Sequence, residues 1–394
     1  MAPLLRRGLP MLLVGLACTV SLPRAAACEF CSMQGQTLID EVTTASMVLY
    51  GSLANSKLDA NGALGQGTTD LQIEAVIKKH PVLKDRKVLV LPRYLPSEGN
   101  QTKYLIFCDV LTGKIDPYRG VPVKQGSDIV KYLTGAQAVR KSDIATRLRY
   151  YFDYLDDGDV EISNDAYKAF ANADEKDYQQ MAHNLPAAKI AKWLADPETP
   201  PFRYGLYASM LGHCGAAKDA DVIRRMLDDP QKRLGAGVDG MLAGYTMLKP
   251  AEGWSYVRGI LADPKLEFGL RYAALRTARF FYAKRPDVID QKKAIEAVSL
   301  LIDDPNIADL AIDDLRKWKC WDRCDRVLGL AGKPTHSVAI IRRSILKYAL
   351  DCPEPKAAAF VAGLRKKDPE LVNETEELLK LEAGTLSAKP AAGK

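Results

Sequence analysis

The chain has 394 residues, 47% of them hydrophobic and 26% charged. That composition is far from a disordered or fibrous polymer, and the length suffices for two or three domains with their own cores. The formal charge of +6 falls to +3 once Arg6, Arg7 and Arg24 of the N-terminal segment are set aside. No basic run is interleaved with aromatic residues, which argues against a nucleic-acid partner.

Residues 1–27 follow the order of a secretory signal peptide. Arg6 and Arg7 come first, then the largely apolar run 11–22 (MLLVGLACTVSL), then Pro23 and a small-residue cut between Ala27 and Cys28. The mature protein is therefore expected to be exported, periplasmic or extracellular. No other stretch approaches the ~18 apolar residues of a membrane span. A cut before cysteine also raises a lipid anchor on Cys28, but Ala25 stands where such sites carry a branched apolar residue. The Arg6–Arg7 pair suggests a twin-arginine signal, which Gly8 and Pro10 fit poorly, so a Sec-type signal suits the segment better.

Seven cysteines follow: Cys28, Cys31, Cys108, Cys214, Cys320, Cys324 and Cys352. In an oxidising compartment some of them pair, and the odd number leaves one thiol free or intermolecular.

From Ser46 to Val123 the pattern is that of short strands rich in branched and aromatic residues, at 46–54, 68–77, 86–92, 102–110 and 115–123. Turn material at 58–67, 96–101 and 111–114 separates them. The Gly62, Gly65 and Gly67 cluster lacks the Lys-Ser/Thr ending and following helix of a phosphate loop, so it reads as a hairpin loop. Five short strands suit a small β-barrel.

After Gly135 the period becomes helical. The phrases WLADP (193–197), MLDDP (226–230), ILADP (260–264) and LIDDP (301–305) recur, each ending one apolar helix before another. Examples of such following helices are expected at 202–213, 266–281, 307–318 and 338–350. Degenerate copies lie at 154–158 and 330–334. A helix, an Asp-Pro stop and a second helix at this period resemble HEAT repeats, over residues ~140–380 and about six copies. The resemblance implies a right-handed α-solenoid whose curved surface binds proteins or peptides.

The strand half resembles the netrin-like barrel of tissue inhibitors of metalloproteinases, with CEFC (28–31) opening the mature chain and KYLIFCD (103–109) in the strand pair. That family opens on Cys-x-Cys, and of its remaining cysteine framework only Cys108 has a counterpart here. The resemblance implies an N-terminal amino group on Cys28 able to chelate a protease metal. The opening Cys28-x-Phe30-Cys31, with Gln34 to Leu38 after it, also resembles exported bacterial proteins.

Cys28 and Cys31 admit several chemistries. A thioredoxin-type redox pair needs a strand before it, and that stretch is expected to be cleaved away. Covalent haem needs His after the second cysteine, where Ser32 stands. Structural zinc needs four ligands, and His80, His183, His213 and His336 are scattered. The remaining reading is a disulfide from one of the pair to Cys108, tying the N-terminus to the barrel. Cys320 and Cys324, at i and i+4 on an expected helix, share a face; they suit a buried contact or a bridge to Cys352 better than half a metal site. Trp318 and Trp321 beside them read as packing between repeats. The 153–164 stretch lacks two EF-hand ligands, at Leu155 and Asn164. His213 and Cys214 are adjacent on a helix and point apart, so they read as core.

The chain is thus expected to be α+β and multidomain. Residues 1–27 form the signal, 28–135 a five-stranded OB/netrin-like barrel, 136–383 the HEAT-like solenoid and 384–394 a disordered tail. Its expected function is non-catalytic: an exported interaction or scaffold protein with a protein or peptide partner and no cofactor. One alternative is a thiol-redox or metal protein using Cys28 and Cys31. Another is a metalloprotease inhibitor acting through its N-terminus.

Overall fold

The computed structural model describes residues 28, 30–31, 33–59, 66–96 and 102–387. The signal segment, Gly62, Gly65 and residues 388–394 of the expected tail lie outside the described residues.

A short helix α1 (Leu38–Thr44) leads into all five expected strands: β1 (Met47–Leu58), β2 (Gly67–Lys78), β3 (Val88–Leu91), β4 (Lys103–Leu111) and β5 (Lys114–Val123). They form one antiparallel sheet in the order β3-β2-β1-β4-β5. Alternation of side chains serves two cores at once. Val48, Leu105 and Phe107 face the helices, while Met47, Leu49, Ile106 and Cys108 face a separate core with Leu89 and Leu91.

The sheet is open, with β3 and β5 at its edges, so the expected closed barrel is not what these strands form. β3 is only four residues long and pairs with Thr69–Gln72 alone. Helices do the covering instead. Lys78 Nζ on β2 donates to the carbonyls of Thr43 at 2.6 Å and Ala45 at 2.5 Å, at the end of α1. Gln137 Nε2, from the helix after the sheet, donates to Ile77 O at 3.0 Å.

Seventeen helices follow among the described residues. They are α2 (Ile129–Val139), α3 (Ile144–Phe152), α4 (Val160–Ala171), α5 (Glu175–Ala182), α6 (Ala187–Ala195), α7 (Tyr204–Cys214) and α8 (Ala220–Asp228). Next come α9 (Pro230–Arg233), α10 (Val238–Leu248), α11 (Pro250–Ala262), α12 (Phe268–Ala283), α13 (Gln291–Ser299) and α14 (Ala308–Lys317). The series ends with α15 (Cys324–Leu328), α16 (Ala339–Asp351), α17 (Pro355–Lys367) and α18 (Pro369–Ser387), so regular helix continues into the expected tail. α2 runs through Gly135, and one core extends from Cys28 to Ala357.

The repeated Asp-Pro phrases do the same local work four times. Asp196, Asp229, Asp263 and Asp304 each accept, through Oδ1, the backbone N–H two residues on, at 2.9 Å in every copy. Proline at the intervening position has no N–H to leave unpaired and cannot extend the preceding helix, so the pair forms a compact stop. The next long helix after each stop packs on the long helix before it: α7 on α6, α10 on α8 past the short α9, α12 on α11, α14 on α13.

α7 and α10 approach backbone to backbone. A Cβ on Gly240 would lie 2.4 Å from Gly205 O, and one on Gly244 would lie 2.1 Å from Ala208 O. Only glycine permits that separation.

Candidate functional site

The N-terminal cysteines are joined to each other. Cys28 and Cys31 form a disulfide with Cα atoms 5.5 Å apart, and Cys108 is a free, buried thiol. This corrects the expected staple to Cys108. The physical reason is the sheet's two-sidedness: Cys108 points into the core on the far face, whereas Cys28 lies on the helical side. There the Cys28 N–H donates to Ala171 O of α4 at 3.0 Å. Burial pushes the Cys108 thiol up to about 12, so it is a poor nucleophile.

The loop is seated on the helices. The Phe30 ring packs 4.7 Å from that of Phe280 on α12, and Phe30 O lies where a Cβ on Gly205 would come within 2.8 Å. Asn172 clasps Gly35 with two hydrogen bonds, of 2.8 and 3.3 Å. Asp165 of α4 accepts from the Leu38 amide at 2.5 Å and from the Tyr132 hydroxyl at 2.8 Å. The segment thus fills the face presented by α4, α7 and α12, which a partner would otherwise find open.

Cys28 is 2% exposed and Cys31 8%. Thiol–disulfide exchange requires in-line access to a sulfur, and burial shields both sulfurs of the bridge.

The remaining cysteines separate. The single helix expected to carry Cys320 and Cys324 is broken: Lys319 takes φ +57°, a 3-10 turn spans Trp321–Arg323, and Cys324 opens α15. Cys320, Cys324 and Cys352 are all buried free thiols, so they serve as core and the bridge to Cys352 is not formed. Trp318 stacks on Tyr282 of α12 at 3.9 Å and Trp321 meets Tyr348 of α16 at 5.2 Å, so both pack between consecutive hairpins. In the 153–164 stretch, Asp159 caps α4 through Glu161 N at 2.9 Å and Asp153 pairs with Arg149.

Sequence reasoning missed a buried polar cluster around His213. Its Nε2 lies 2.6 Å from Glu175 Oε1, and its Nδ1 lies 3.2 Å from Arg285 Nη1. A guanidinium can only donate, so Nδ1 accepts and Nε2 carries the hydrogen given to Glu175. Arg285 also holds Asp287, at 2.8 Å, while Tyr178 and Ser209 share a 2.5 Å bond beside the histidine ring. His213 has no capacity left for Cys214, whose thiol burial pushes up to about 11. Residues 38 to 110 apart in sequence meet here, which no local spacing announces.

Two open clefts flank α11. One, of ≈ 720 Å³, is lined by α11 with Val288, Lys293, Glu296 and Leu300. The other, of ≈ 760 Å³, is lined by α11 with Arg224, Tyr245, Leu266 and Leu270. Ala251, Ser255 and Gly259 line both, forming a low ridge between them. Trp254, only 6% exposed, borders the first, and its indole N–H has no acceptor.

No protein-family model, curated protein or solved structure matches the chain.

Proposed function

We propose that this chain is an exported, non-catalytic binding protein that takes a helical segment of a partner protein onto the exposed ridge of α11. The reading treats α3 to α18 as HEAT-like hairpins stacked into a solenoid. The shared Asp-Pro stops and the packing of each helix on its predecessor support that.

Gly259 carries the argument. A glycine inside a helix costs about 1 kcal/mol relative to alanine, and a fold keeps one where a side chain would collide. Gly240 and Gly244 have that reason; a Cβ on Gly259 would meet no atom within 4 Å. The gap lies on a small-residue ridge, Ala251–Ser255–Gly259, at helical spacing between two clefts. α7 and α10 show within this molecule how such a surface receives a helix at close range. The exposed, mostly uncharged ridge suits a helix with small residues of its own, and Leu266 and Leu270 in the second cleft add apolar area. The buried, already formed Cys28–Cys31 bridge supports a structural role for the N-terminus in preference to redox exchange.

Gly259→Arg raises a long charged side chain from the ridge at a position where its Cβ meets no atom within 4 Å, and Gly332→Arg places the same side chain on an exposed turn elsewhere. A protein co-purifying with the wild-type chain and with Gly332→Arg, but lost with Gly259→Arg, is the expected result. Equal recovery with both variants would refute the ridge as the docking surface.

A further inference from the structure

Four residues of α3 at helical spacing, Ile144, Arg147, Leu148 and Tyr151, line a cavity of ≈ 490 Å³. Residues of α1, Arg140 at the end of α2 and the end of α4 complete its walls. None of these residues borders the clefts beside α11.

Three side chains bring hydrogen-bond donors to this cavity without partners. Among the described residues, the guanidinium groups of Arg140 and Arg147 make no hydrogen bond and no ion pair, and Arg147 Nε is buried. Other buried arginines differ: Arg203 is anchored to Leu155 O at 2.6 Å, and Arg271 to Asp304. Tyr151 is 6% exposed, and its hydroxyl also lacks a hydrogen-bond partner among the described residues. Burial, then Asp165 and Asp40, push that hydroxyl above its ordinary value, so it stays protonated and able to donate. A half-buried cation without a counter-charge is costly to keep unless a ligand supplies one. The neighbourhood is electropositive: burial, and then the Arg140 charge, hold Lys78 below its ordinary value.

We propose that this cavity binds a small monocarboxylic acid with an apolar body, its carboxylate held by Arg147 and Arg140 and by the Tyr151 hydroxyl.

The charge of the ligand follows from the walls. Two guanidinium groups line the cavity with one carboxylate, Asp40, whose Oδ2 already accepts from the Thr37 amide at 3.1 Å and hydroxyl at 2.7 Å. Two positive charges less one negative leave a single positive charge, which a monoanion neutralises and a phosphate dianion overshoots. The planar guanidinium fork also matches a carboxylate. Ile39, Ile144, Leu148 and Ala169 make the rest of the wall apolar, which calls for an apolar body. The volume lies in the range of small-molecule sites.

The test is calorimetric titration of the purified full-length chain with phenylacetate, octanoate, phenylacetamide and inorganic phosphate. The expected result is one saturable site for a carboxylate, with the amide and phosphate each about tenfold or more weaker. Arg147→Gln should weaken carboxylate binding about tenfold or more, and Tyr151→Phe about threefold to tenfold. Arg140→Gln, at an exposed position outside the core, should weaken it as well with the Tm unchanged. Gly259→Arg, on the α11 ridge, should leave the titration as it is. Equal affinity for phenylacetate and phenylacetamide, or phosphate bound as tightly as either carboxylate, would overturn the proposal. So would affinity indifferent to both arginine substitutions, or no saturation by either carboxylate at millimolar concentration.

Discussion

The Tyr132 hydroxyl donates to Asp165 Oδ2 across 2.8 Å, while the Leu38 amide donates to the other oxygen of the same carboxylate. One buried side chain thereby joins α2, α4 and the start of α1. Burial outweighs both donors and pushes Asp165 up to about 6 from its ordinary 3.8. Between those values the folded state binds a proton that the unfolded chain does not, so this group's contribution to stability rises as pH falls from neutral toward 4. At 1.36 kcal/mol per unit the effect is about 3 kcal/mol. Urea unfolding across pH 4 to 7 should show wild type gaining roughly that much on Asp165→Asn upon acidification. A constant difference between the two proteins would contradict the assignment.

The Cys28–Cys31 bridge closes a very short loop, so removing it should cost only about 2 kcal/mol, with partial release of Phe30 from Phe280. Peptide mapping of the native protein should find Cys28 and Cys31 linked to each other. Cys108 should stay unreactive to alkylation until the chain unfolds.

Two glycines on neighbouring helices should respond with opposite signs. Gly244→Ala drives a methyl into Ala208 O and should destabilise by about 1–3 kcal/mol or more. Gly259→Ala meets nothing and should stabilise by about 0.5–1 kcal/mol, since a helix interior prefers alanine. Thermal unfolding of both variants decides this, and destabilisation by Gly259→Ala would show that the fold itself needs that glycine.

The four Asp-Pro stops are alike in turn geometry and unlike in what else they hold. Asp263→Ala removes an exposed turn bond and should cost about 1 kcal/mol. Asp304→Ala also strands Arg271, which is 3% exposed and ion-paired to Asp304, and should cost about 3–5 kcal/mol. Similar losses in both variants would mean that the ion pair adds little.

The five strands and the helices that follow each Asp-Pro stop were legible because each is a local pattern: alternation in β4, or a carboxylate and a proline at fixed offset. The openness of the sheet was not, because it depends on α1 and α2 covering the face that alternation only marks as apolar. The Cys108 pairing failed for a related reason. Alternation shows that Cys108 is buried, and which of two cores receives it is a tertiary fact. The His213 cluster left no local mark at all, its members coming from α5, α7 and the turn after α12. Gly259 was visible as a residue, but its meaning appeared only when the space around it could be compared with that around Gly244.

The most direct test of α11 as a docking ridge is site-specific photo-crosslinking in the cells that make the protein. The photoreactive residue replaces Ser255, on the ridge, or Gly332, on an equally exposed turn. The account predicts a discrete adduct from position 255 and none from 332, with the cross-linked residue of the partner lying in a helix. Adducts of equal yield from both positions, or none from 255, would contradict it.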